Sequence, residues 1–262
     1  MSRLMSKTDT PYRHMLTDAL AFSSASHSPC VGVCDHSASQ DCSGCHRPHD
    51  EVEGWREADP DIRLQRWHEL PKSLASAGIK TMRLPLSQEA ILELAHKRLH
   101  DGGSWMLGGS RFHAATDRHL EGLSATNADQ SVTITLASDI KMRAVLWAPA
   151  GHRLDEDMAQ LPIALVTPRI RIERQEGWHQ RPQSGGYTNT LYLSELMRIT
   201  ANPDARDATS IKMESVIAEA EIQMRDHPAP DFGKMADMPN GLVLPESYVL
   251  GLMLLSPATV IS

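Results

Sequence analysis

The sequence predicts an α+β fold: a small cysteine-rich module followed by a larger domain with an antiparallel sheet and flanking helices. Three observations predict it. All four cysteines of the 262-residue chain fall between positions 30 and 45. Two segments, opening at Asp59-Pro60 and at Ser87, carry apolar residues at helical spacing. A middle stretch from Val132 onward instead alternates apolar and polar residues, the period of a half-buried strand.

Residues 1–27 read as an N-terminal extension. Met15 to Phe22 is briefly apolar, but Thr17 and Asp18 interrupt it and no basic-then-apolar layout precedes it, so an export signal is not expected.

The cysteines follow as two close pairs, Cys30-Val31-Gly32-Val33-Cys34 and Cys42-Ser43-Gly44-Cys45, separated by seven residues. Two such pairs can present four sulfurs to one point, which is what zinc and iron–sulfur clusters require. Two disulfides are the rival reading, with buried thiols a third. The chain is long enough to build its own core, and no cysteine staples the remainder, so a shared metal centre is the expectation for Cys30, Cys34, Cys42 and Cys45. Zinc favours four thiolates in a closed tetrahedron, with sulfurs about 2.3 Å away. Iron–sulfur clusters also take four cysteines, although neither common ferredoxin spacing occurs here. The expected cofactor is therefore one zinc ion or one iron–sulfur cluster. His36, His46, His49 and His68 read first as exposed polar residues. His46 and His49, directly after the last cysteine, are the candidates to donate to a thiolate from a second layer.

From Ser28 to about Leu74 the chain resembles the bacterial domain-of-unknown-function family numbered 1289. The resemblance rests on Ser28-Pro29-Cys30, Cys34, the Cys42-Ser43-Gly44-Cys45 turn, an acidic stretch ending at Gly54-Trp55 and a short helix ending in Leu70-Pro71. Members are generally small and described as predicted iron–sulfur proteins, so the resemblance implies a cluster but no reaction. His46 and His49 stand where the family pattern carries residues with less affinity for metal.

The module, residues 28–75, closes with a helix. Asp59 is an N-cap followed by proline at the first helical position, and Leu64, Trp67, Leu70 and Leu74 share a face. Pro71 is expected to break or kink it. Trp55 and Trp67 are the expected apolar cover of the cysteine loop. Residues 76–85 read as a linker, and residues 86–262 as an independent α+β domain of ordinary size.

Within that domain Ser87 starts a helix through His100, and Asp101-Gly102-Gly103 ends it. Strands are expected at Val132–Leu136, Lys141–Trp147 and Ile163–Arg174. Gln183–Thr190 reads as loop, Leu191–Ile199 as helix or strand, and Ile211–Asp226 as a helix with Val216, Ile217, Ala220 and Met224 inward. The terminal run Tyr248–Leu255 has eight residues, against the roughly 20 needed to span a bilayer. It reads as a buried strand or helix, or a partner surface, and no membrane span is expected.

No phosphate loop, dinucleotide fingerprint, nucleophile elbow or His-Glu-x-x-His motif occurs. Gly108-Gly109-Ser110 reads as a turn. His113, Asp117 and His119 could converge if their segment is helical but read first as surface or core polar residues, and His152 with Asp155 and Asp157 reads as a solvated loop. Arg169, Arg171 and Arg174 read first as the solvated side of an edge strand, with an anion-binding set for a carboxylate or phosphate as the sharper reading.

Charge narrows the partners. Between Ser28 and Ala75 nine acidic side chains face five basic ones, and the whole chain carries a formal charge of −7 with a pI near 6.0. A nucleic-acid module needs a basic face, and none is visible. The sequence thus points to a cytoplasmic bacterial accessory or interaction protein whose metal centre organises a docking module for a protein partner. The alternatives are an iron–sulfur electron-transfer protein or redox subunit, and an enzyme with its active site in the C-terminal domain. Closed coordination by four cysteines argues against catalysis at the metal.

Overall fold

The computed structural model describes residues 27–33, 41–107, 110–113, 122–127, 130–136, 142–156, 158–168, 187–188, 197–202, 208–215, 218–225 and 242–255. The helices are α1 (His49–Glu53), continued by a 3-10 turn over Gly54–Arg56, α2 (Pro60–Ser76) and α3 (Gln88–His100). The first strands are β1 (Thr81–Leu84), β2 (Ser104–Leu107), β3 (Ser110–His113), β4 (Gly122–Asn127), β5 (Gln130–Leu136), β6 (Arg143–Trp147) and β7 (Ile163–Pro168). They are followed by β8 (Tyr187–Thr188), β9 (Met197–Asn202), β10 (Ala208–Ser215), β11 (Ala218–Arg225), β12 (Leu244–Pro245) and β13 (Tyr248–Leu255). Helices plus antiparallel sheets make the fold α+β, as the sequence predicts.

Helix α2 starts where its capping chemistry places it: Asp59 Oδ1 accepts the Asp61 amide at 2.8 Å, and Pro60 fills the first helical position. Of the break or kink expected at Pro71, the break does not occur, and the helix continues to Ser76. Trp67, Leu70, Pro71 and Leu74 are all buried, so packing of that stripe outweighs the lost backbone hydrogen bond. In α3, Ser87 Oγ accepts the Ala90 amide at 3.2 Å, and Ile91, Leu94 and Ala95 are fully buried. The helix packs on β2, β6 and β13.

The larger sheet runs β1-β6-β7-β13-β2-β3. Its central strands are covered on both faces, so β6 buries four consecutive residues from Ala144 and β7 five from Ile163. One face carries Val145, Trp147, Ala164 and Val166, which form a core with Leu242, Leu244, Tyr248 and Leu250. Val31 and Val33, from between the first two cysteines, enter that same core. The register sets Arg83 opposite Val145 and Arg143 opposite Val166, which puts both arginines on this face.

Several sequence readings need correction. Four residues of the expected linker, Thr81–Leu84, form β1 and pair with β6, because Thr81, Met82 and Leu84 are buried against the sheet. The expected helix over Ile211–Asp226 is instead the β10/β11 ladder. Ile211 and Met213 alternate with Lys212 and Glu214, and Ile222 and Met224 with Glu221 and Gln223. That period of two is the one that governs. Tyr187 and Thr188, expected as loop, pair with β12. Of the segment left open between helix and strand, Met197–Ile199 lies in β9. The strand expected over Ile163–Arg174 is β7 as far as Pro168, and the terminal apolar run is β13. A second sheet, β4-β5-β11-β10-β9, holds the strand read at Val132–Leu136. Among the described residues no helix is long and apolar enough to cross a membrane.

Candidate metal centre

Three of the four cysteines lie in the described residues, and two short segments carry them. Residues 41–48 form a closed turn in which Asp41 bridges Pro48, the Cys42 amide donates to Arg47 O at 2.7 Å, and the His46 amide donates to Cys42 O at 2.7 Å. His46 takes a left-handed φ of 49° to complete the turn. The segment from His27 to Val33 lies directly against it. Gly44 makes that approach possible: a β-carbon there would collide with the Val33 carbonyl oxygen and come within 2.9 Å of Val31 Cγ2. Only glycine allows the two cysteine-bearing backbones to meet so closely.

The sulfurs sit in a graded environment. Cys42 and Cys45 are buried, at 1% and 2% exposure, while Cys30 is half-buried. Cys42 Sγ donates to Val33 O at 3.6 Å. Cys30 Sγ accepts the Gly32 amide at 3.3 Å, with Gly32 at φ +78°, a left-handed turn that aims the N–H back at the sulfur. Burial pushes the Cys45 thiol up to about 11. The Arg47 guanidinium acts against that rise, and the neighbouring Cys42 thiol adds to it.

Arg47 is the residue that sequence reasoning missed. It is 1% exposed; its Nε donates to Cys45 Sγ at 3.2 Å and its Nη2 to Ser28 Oγ at 3.0 Å. Its guanidinium stacks 4.6 Å from the Trp55 ring centroid, and Nη1 is buried with no hydrogen-bond partner. The expected aromatic cover is therefore indirect: Trp55 covers Arg47, and Arg47 covers Cys45. Trp67 lies deeper, fully buried, with Nε1 donating to His27 O at 3.3 Å. One signal was available in the sequence: Arg47 is the single arginine or lysine from Cys30 to Asp50.

The two candidate second-layer histidines face carboxylates in the contacts recorded for them. His46 Nε2 lies 4.0 Å from Asp41 Oδ2, and His49 Nδ1 lies 3.6 Å from Glu53 Oε1 on the exposed side of α1. His68 is exposed. Among the described residues no group of three or more histidine, cysteine, aspartate or glutamate side chains is gathered to hold a metal ion. Cys34 and His36 lie outside the described residues, as do Arg169, Arg171, Arg174, Asp117, His119 and Asp157. His152 pairs with Glu156 at 3.1 Å and Arg153 with Asp155 at 2.9 Å, the solvated arrangement that the sequence suggests for that loop.

The donor set nevertheless fits a thiolate-bound metal on three observations. Amide and guanidinium N–H groups already point at two of the sulfurs. Gly44 is pressed against the opposite cysteine-bearing segment. The guanidinium whose Nε donates to Cys45 Sγ is buried and keeps one nitrogen, Nη1, without a hydrogen-bond partner, so negative charge on the sulfurs would stabilise it.

Comparison with known proteins adds one finding. The model of a family described as "Protein of unknown function (DUF1289)" matches residues 28–74, the segment that carries the cysteine turn, α1 and nearly all of α2. Neither a curated protein nor a solved structure matches the chain.

Proposed function

We propose that Cys30, Cys34, Cys42 and Cys45 hold one metal centre, a zinc ion or an iron–sulfur cluster, and that the centre organises a docking module for a protein partner in the bacterial cytoplasm. The observation that carries this reading is Arg47, a fully enclosed cation bonded to Cys45 Sγ rather than to a carboxylate. The Glu51 carboxylate offsets part of its charge electrostatically, and burying a charge that is not fully compensated costs several kcal/mol even after relaxation. A neutral thiol offers it little, whereas four thiolates around a divalent ion leave net negative charge beside it. Metal binding would thus resolve two costs together, the Arg47 charge and the buried Cys42–Cys45 pair.

Four protein ligands leave no open position for a substrate, which favours an accessory role over catalysis. The acidic balance of the chain argues against a nucleic-acid partner. When bound, zinc would supply a rigid cross-link between the two cysteine segments, and a cluster would supply a one-electron couple.

Electron transfer is the second reading. The N–H donors from Gly32 and Arg47 to sulfur favour it, since such bonds stabilise added negative charge on a cluster. Cobalt exchange and dithionite separate the two. For a shape-forming zinc site, cobalt-loaded protein keeps its far-ultraviolet circular dichroism and shows sulfur-to-cobalt charge-transfer bands. Reversible bleaching of the native visible spectrum by dithionite instead makes electron transfer the function. A colourless protein that takes up no cobalt contradicts both.

A further inference from the structure

We propose that the cavity between His27, strand β1 and the first turn of α3 binds the dianionic phosphate group of a small molecule through Arg83 and Arg143. The cavity holds about 280 Å³, and its polar lining comprises His27, Arg83, Ser87, Gln88 and Arg143. Among the described residues that line it there is no carboxylate. Two guanidiniums and an imidazole therefore converge on one hollow in a chain whose formal charge is −7.

The sheet makes this convergence a fixed property. Arg83 on β1 and Arg143 on β6 project from the same face of neighbouring strands, with Arg83 opposite Val145, two residues along from Arg143. Neither side chain is loose. Arg83 Nη1 donates to Ser28 O at 3.3 Å and to Cys30 O at 3.1 Å, leaving Nε without a hydrogen-bond partner. Arg143 Nη1 donates to Met142 O at 3.1 Å. Proximity of the three groups shows in His27, whose pKa is lowered first by burial and then by Arg83 and Arg143. A thirteen-residue helix, α3, opens at the same cavity, so its positive end adds to the two arginines. Ser87 Oγ accepts the Ala90 amide and its hydroxyl also bonds the carboxylate of exposed Glu89, so Ser87 is already engaged and the phosphate contacts fall to the arginines.

Charge and size together select the ligand. Planar guanidiniums match the oxygens of a phosphate or carboxylate in pairs, and two of them suit a doubly charged group. The volume lies just under the range of about 300–1,000 Å³ typical of small-molecule sites, so it takes a phosphate monoester rather than a polymer. The formal charge of −7 on the whole chain also disfavours a polyanion. Arg83 is a poor choice for the test, because it also ties down the Cys30 segment.

Calorimetric titration of the full chain with inorganic phosphate and with glycerol phosphate tests the assignment. Saturable binding near about 1 mM is expected for the phosphate alone, and tighter binding of the ester identifies an organic phosphate as the natural source. Arg143→Gln should weaken binding at least about tenfold, the loss expected from one charge-assisted hydrogen bond. Arg153→Gln, on an exposed loop and paired with Asp155, should leave it unchanged. If Arg143→Gln does not fold, backbone amide shifts of the unmodified protein carry the test: Arg83, Gln88 and Arg143 must move saturably with phosphate. Absence of saturable binding, equal affinity in Arg143→Gln, equal loss in Arg153→Gln, or shifts confined elsewhere would each overturn the assignment.

Discussion

Replacing Cys42 by serine is expected to release the metal and unfold the segment around residues 28–75. A structural metal contributes on the order of 10–16 kcal/mol to a small module, comparable to the whole stability of an ordinary domain. Cys42 is 1% exposed, so serine also leaves a hydroxyl in a site shaped for sulfur. Arg47 would then stand buried beside a broken site. The effect should not stop at the module. Val31 and Val33 share a core with Val145, Trp147, Ala164 and Val166, and Ser247 Oγ donates to Val31 O at 2.7 Å. Hydrogen exchange should therefore show protection lost across residues 28–75, with a smaller loss in β6 and β7. Full metal content and unchanged protection in the variant would contradict this.

Trp67→Ala should have the second largest effect. Trp67 is fully buried on α2 and holds the start of the cysteine segment through its bond to His27 O. Truncating a buried tryptophan costs about 3–5 kcal/mol, because the transfer energy is lost and a cavity remains. For a chain of this length that corresponds to roughly 6–20 °C in melting temperature. Thermal unfolding followed by circular dichroism measures it. A shift of only about 2 °C would mean that α2 is not an anchor of the cysteine turn.

The contrast between what could and could not be read in the chain has physical causes. Helix α2 was legible at its start because the Asp59 cap, Pro60 and the buried stripe agree, while Pro71 argued for an earlier end that packing overrode. The β10/β11 ladder was not, because Ala220 and Met224 satisfy a helical spacing as well as a strand spacing, and only pairing with β5 and β9 decides. Strand β1 was hidden by its shortness: four residues between a glycine-ended helix and a proline look like a connection until β6 lies beside them. At the site, the cysteine spacing announced the sulfurs and the Gly44 turn. It could not announce Arg83, which reaches the Cys30 segment from 53 residues away, or Ser247, which reaches Val31 from 216. Long-range partners of this kind leave no local pattern. Arg47 was nearer to hand, since a lone cation inside a cysteine cluster has to be compensated somehow.

The central claim is that the four cysteines share one centre, and native mass spectrometry of anaerobically purified protein, read with its visible spectrum, tests it most directly. The account predicts a mass excess equal to one zinc ion or one iron–sulfur cluster per chain, lost when Cys42 is serine. A full-length apoprotein whose mass shows two disulfides and no bound metal would contradict it.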